Sequence, residues 1–62
     1  MNILLIEDDA KTADFIARGF TQSGFTVTAV DNGTAGLEKL QSSPFDIAVV
    51  DVISAFYCIY FI

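Results

Sequence analysis

Glu7-Asp8-Asp9 and Asp51 are the residues of this chain best placed to do chemistry. Each follows a short apolar run, Ile3-Leu4-Leu5-Ile6 before the first and Ile47-Ala48-Val49-Val50 before the second. Unbroken runs of this kind suit strands buried on both faces of a parallel sheet. A carboxylate that ends such a strand lies at the carboxyl edge of the sheet, where open α/β folds bind ligands. If the two strands are neighbours, three or four carboxylates converge there. Clustered carboxylates repel one another, and a protein keeps them mainly to hold a cation or to run acid–base chemistry. Oxygen donors without His or Cys favour a hard ion, Mg²⁺ first. A carboxylate can also attack phosphorus and form an aspartyl phosphate, with the metal neutralising charge on the transferring group.

Each acid taken alone has a simpler reading. Asp9 suits a helix cap, Glu7 and Asp8 a solvated loop, and Asp51 a polar strand end. Together, at the ends of strands expected to be adjacent, they read as a site.

The elements that must position them follow in order. Asn2 to Ile6 is predicted as strand one, with Glu7-Asp8-Asp9 as the loop after it. Ala10 to about Ser23 is predicted as a helix, with Ala13, Ile16, Ala17 and Phe20 on one stripe, Asp9 as its N-cap and Gly24 just past its end. Gly19 inside this helix costs about 1 kcal/mol relative to Ala, and close packing on the sheet is one reason to keep it. Phe25 to Val30 is predicted as strand two, its Thr26 and Thr28 suiting an edge. Asp31-Asn32-Gly33 reads as a turn and helix start. The second helix runs from about Thr34 to Gln41, with Leu37 and Leu40 facing inward, and stops at Ser42-Ser43-Pro44. Asp46 to Asp51 is strand three. Strands joined by single helices lie parallel with right-handed crossovers. An edge-like second strand gives the order 2-1-3, with strand one central and its crevice with strand three a topological switch point that Glu7, Asp8 and Asp51 face.

The 62 residues make at most one small domain, marginal for its size. Cys58 is alone, which rules out an internal disulfide, suits a reducing, cytoplasmic setting and reads as apolar filler. Net charge is −5, with Lys11, Arg18 and Lys39 the only cations, and no basic patch for nucleic acid. Met1 to Ile6 lacks the basic start of a signal peptide. Asn32-Gly33-Thr34 fits a glycosylation acceptor but reads as a helix start. Ile47 to Ile62, interrupted by Asp51, falls short of the ~20 residues that span a bilayer. Val52 to Ile62 has no charge, turn signal or clean period, a composition prone to aggregation. It leaves strand three as an exposed apolar edge, so self-association through that edge and the tail is expected, with 56–62 extended.

Taken as a set, Ile3-Leu4-Leu5-Ile6-Glu7-Asp8-Asp9, Gly24-Phe25-Thr26-Val27, Asp31-Asn32-Gly33 and Phe45-Asp46-Ile47-Ala48-Val49-Val50-Asp51 resemble the receiver domain of bacterial response regulators, in wording nearest the OmpR-like branch. The resemblance covers residues 1–53 and sets off 54–62 as an apolar tail foreign to the family. It implies a three-layer, flavodoxin-like (CheY-like) parallel sheet, here the partial β-α-β-α-β unit. It implies that Asp51 accepts a phosphoryl group from a sensor histidine kinase in a two-component system. Asp8 then matches the direct Mg²⁺ ligand, Glu7 its outer partner through water, Asp51 a further ligand, and Ile53 a ligand through its backbone carbonyl. The family's Leu-Pro or Met-Pro turn after the acceptor strand is replaced by Ser54-Ala55-Phe56. The hydroxyl residue of strand four, the Lys of strand five and the switching aromatic have no counterpart, so the chain reads as truncated and its phosphorylation as inefficient.

Two other functions compete. One is a non-signalling remnant that only binds divalent metal or a kinase docking surface. The other is a small phosphatase of the haloacid dehalogenase type, which needs an Asp-x-Asp that Asp8-Asp9-Ala10 does not supply. The chain is therefore expected to be a regulatory phosphoacceptor and not an enzyme.

Overall fold

A computed structural model describes residues 1–51 and 58–61, with Asp51 and 58–61 described by backbone alone. The chain runs β1 (Asn2–Glu7), α1 (Ala10–Gln22), β2 (Thr26–Val30), α2 (Gly33–Ser42), β3 (Ile47–Asp51) and β4 (Cys58–Phe61). The sheet order is β2-β1-β3-β4. β1 pairs parallel with β2 and β3, from Asn2↔Thr26 to Ile6↔Val30 and from Ile3↔Ile47 to Glu7↔Asp51. This is the expected partial flavodoxin-like β-α-β-α-β unit, with β1 central and β2 at an edge.

The two-residue period of β1 builds two cores. Ile3 and Leu5 join Val49 on one face, where Ala13, Ile16, Ala17 and Phe20 of α1 pack with Phe25 and Val27. Leu4 and Ile6 join Ala48 on the other, with Leu40 of α2, Val30, Phe45 and Val50. Ile3, Leu4 and Leu5 are fully buried, as the central strand of a three-layer sheet requires. A two-bond clasp aligns the strand starts. Asn2 N donates to Asp46 Oδ2 at 2.7 Å, and Asp46 N donates to Asn2 O at 2.8 Å.

The ends of α1 explain its length. Asp9 is the N-cap, its Oδ1 accepting from Lys11 N at 3.1 Å and its Oδ2 from Thr12 Oγ1 at 2.9 Å. At the other end Phe25 N donates to Phe20 O at 3.1 Å and Gly24 N to Thr21 O at 3.0 Å. These are the two bonds of a Schellman motif, and Gly24 takes the left-handed conformation it requires, at φ 93. The apolar contact of that motif is also present: the Phe20 and Phe25 rings meet edge-on at 6.0 Å. Phe25 thus closes α1 instead of opening β2, which begins at Thr26.

Three expectations are corrected. Leu37 does not face inward; it is 56% exposed. The contact stripe of α2 runs through buried Gly36 and half-buried Leu40, and Leu37 lies about 100° round the helix from Gly36. A Cβ built on Gly36 would stand 2.9 Å from Ile6 Cγ1 and against Ile6 Cδ1, so the bare backbone lets α2 approach β1. Gly19 is not kept by packing, because nothing lies within 4 Å of its Cβ position. Finally, β3 is not an open edge. β4 pairs with it antiparallel, from Ile47↔Phe61 to Val50↔Cys58, so residues 58–61 are extended and form the new edge of the sheet.

Candidate functional site

The acidic corner forms at the carboxyl edge of β1 and β3. Parallel pairing sets Glu7 directly opposite Asp51, one strand spacing away, about 4.8 Å between backbones. Glu7 is not a solvated loop residue. It is the last residue of β1 and is 4% exposed. Its Oε1 accepts from Asp9 N at 2.9 Å, which turns the chain from strand to helix. Asp8 follows in the loop and is exposed to solvent. Asp9 is absorbed by the α1 cap, as its simpler reading holds. One buried and one exposed carboxylate therefore leave β1 together, with the Asp51 backbone beside them. Ile53, implied as a ligand through its carbonyl, lies outside the described residues.

The donor set fits a hard divalent cation. Glu7, Asp8 and Asp51 supply only oxygen, and oxygen ligands select Mg²⁺ or Ca²⁺ over softer metals. Among the residues described with side chains, no three potential ligands are gathered into one cluster.

Beside the corner is an open cleft of about 510 Å³ between α1, the end of β2 and the start of α2. Glu7, Asp14 and Asp31 are its acidic members, and Ala10, Ala13 and Ala17 form its α1 wall. Asp31 follows β2 as Asp8 follows β1, and its Oδ1 accepts from Asn32 Nδ2 at 2.7 Å. Sequence reasoning treated Asp31 as turn residue alone. Its position one step past a strand was the signal that it shares the carboxyl edge with Glu7 and Asp8.

The order β2-β1-β3, helices on both faces and acids at the carboxyl edge define a doubly wound α/β unit with its acidic corner at the switch point. The chain belongs to the response regulator receiver domain family, whose model matches residues 3–53. It is therefore a receiver domain of two-component response regulators, a regulatory class. It is 42% identical over 52 residues to the transcriptional regulatory protein QseB of Escherichia coli O157:H7, covering 84% of this chain and 24% of that protein. It is 39% identical over 51 residues to the response regulator ArlR of Staphylococcus epidermidis, covering 82% and 23%. It is 37% identical over 51 residues to the response regulator receiver protein CpdR of Brucella abortus, covering 82% and 42%. The chain thus spans about a quarter of the length of QseB and of ArlR. No solved structure gives a significant match. No helix among the described residues is long and apolar enough to cross a membrane.

Proposed function

We propose that Asp51 is the phosphoacceptor of this receiver and takes its phosphoryl group from a sensor histidine kinase. The observation that carries this reading is the register Glu7↔Asp51, which sets the acceptor strand end against the acidic end of β1. A carboxylate oxygen of Asp51 attacks phosphorus, a P–O bond forms, and the P–N bond of the phosphohistidine breaks with its electron pair left on the imidazole nitrogen. Glu7, Asp8, Asp51 and the Ile53 carbonyl are the residues that would hold Mg²⁺, which when bound offsets the charge of the phosphoryl oxygens. Glu7 is fixed for that role by burial and by its bond from Asp9 N. Asp8, in the exposed loop, is accessible to an incoming ion. The chain at most assists its own phosphorylation and turns over no substrate.

Residues 1–53 form the receiver unit of this reading, and 54–62 lie beyond it. An acidic chain with three cations has no surface for nucleic acid, and its lone Cys58 suits the cytoplasm. Self-association is proposed through the outer edge of β4, because the stretch from Val52 to Ile62 carries neither charge nor Pro to block strand pairing.

Titration calorimetry with Mg²⁺ tests the metal assignment. Asp8→Ala is expected to weaken binding clearly, and equal affinity in both proteins rejects it. Treatment with a small acyl phosphate tests the acceptor: stable labelling supports it, while metal binding without labelling identifies a non-signalling remnant.

A further inference from the structure

Asn32-Gly33 has no part in the phosphoacceptor chemistry and carries a reactivity of its own. We propose that Asn32 is a site of spontaneous deamidation, held in check by the cap it forms on α2. The reaction needs only water. The backbone nitrogen of Gly33 attacks the side-chain carbonyl carbon of Asn32, an N–C bond closes a succinimide ring, and ammonia leaves. Water then opens the ring at either carbonyl, giving aspartate or isoaspartate at that position.

Three features favour the reaction here. Asn32 is exposed, so water reaches it. Gly33 has no side chain to hinder ring closure and nothing within 4 Å of its Cβ position. Gly33 is also the first residue of α2, so its N–H is outside the helical ladder. Asn2, the other asparagine, precedes β-branched Ile3, whose side chain crowds the attacking nitrogen and which is itself buried in the sheet.

Other features restrain it. Asn32 Oδ1 accepts from Ala35 N at 2.8 Å, and Nδ2 donates to Asp31 Oδ1 at 2.7 Å. Its main-chain oxygen accepts from Gly36 N at 3.1 Å. The side-chain amide is therefore pinned over the first turn of α2, with the backbone extended at ψ 164. Ring closure requires that cap to open, so the rate of the reaction reports fraying of α2.

The two products differ in consequence. Aspartate caps a helix as well as asparagine, and it adds a negative charge beside Asp31, which lines the cleft with Glu7. Isoaspartate routes the main chain through an extra methylene and removes the cap. It thereby loosens the turn that carries Gly36 against Ile6, the neighbour of Glu7.

The test is peptide mapping by mass spectrometry after the full chain is aged at mildly alkaline pH, in buffer and in guanidinium chloride. The mass gain of NH₂ replaced by OH is expected at Asn32 and not at Asn2. Conversion in buffer should be at least about five-fold slower than in denaturant, the factor given by a cap worth about 1 kcal/mol. Gly33→Ala should slow conversion in both solvents, and the denaturant arm does not depend on folding of that variant. Asn2 converting as fast as Asn32, an equal rate in Gly33→Ala, or no acceleration in denaturant overturns the proposal.

Discussion

Gly36 and Gly19 sit inside α2 and α1 in opposite surroundings, and the contrast predicts opposite responses to one added methyl group. A Cβ at Gly36 meets Ile6 Cγ1 at 2.9 Å, crowds Ile6 Cδ1 and comes within 3.7 Å of Val30 Cγ2. Ile6 is 6% exposed and belongs to the core with Leu4 and Ala48, so it has little room to yield. Overpacking of this kind costs about 1–3 kcal/mol. Replacing glycine by alanine inside a helix returns about 1 kcal/mol at either position. Gly19→Ala meets nothing within 4 Å and should stabilise by about 1 kcal/mol. Gly36→Ala should fall between no change and a loss of about 2 kcal/mol. The propensity contributions cancel in the comparison, leaving a gap of about 1–3 kcal/mol. In a chain of this size each kcal/mol moves the melting midpoint by about 4–8 °C. Thermal unfolding followed by circular dichroism on dilute protein reads the gap directly. If Gly36→Ala melts at or above Gly19→Ala, α2 does not approach β1 as described.

Two further substitutions probe the ends of α1. Asp9→Ala removes the acceptors for Lys11 N and Thr12 Oγ1 and should cost about 1 kcal/mol in urea unfolding; an unchanged midpoint would return Asp9 to the candidate metal ligands. Gly24→Ala forces a Cβ into the left-handed region at φ 93 and should cost about 1–2 kcal/mol; a stabilised variant would show that the Schellman turn does not form.

Much of this architecture is legible in the sequence because local chemistry and global fold agree. Asp9, Gly24 and Asn32 announce their helix ends by residue type, and Thr26 and Thr28 mark β2 as an edge. What escapes the sequence depends on partners distant along the chain. Gly36 carries no apolar signal, yet its bare backbone lies against Ile6 of β1, while Leu37, one step round the helix, is exposed. Glu7 reads as the first of three loop acids, but the pairing of β1 with β3 extends the strand through it and buries it. Asp46 reads only as the start of a strand, while its two bonds to Asn2 are set by the β1–β3 alignment. The tail has no period of its own, and Cys58–Phe61 becomes a strand because β3 offers a free apolar edge.

The candidate site is less legible than the fold. The acids at the two strand ends and their adjacency follow from pattern alone, whereas the split between buried Glu7 and exposed Asp8 follows from where β1 stops. Asp31 shares the edge only because β2 pairs with β1 in a register that sets Val30 beside Ile6.

The central claim is that Asp51 receives the phosphoryl group. Peptide mapping by mass spectrometry, after treatment of the chain with acetyl phosphate and Mg²⁺, tests it most directly. The account predicts one hydroxylamine-labile phosphate on the peptide containing Asp51, absent from Asp51→Asn. An unlabelled chain, a label that persists in Asp51→Asn, or a hydroxylamine-stable phosphate on Thr34 or Ser54 contradicts it.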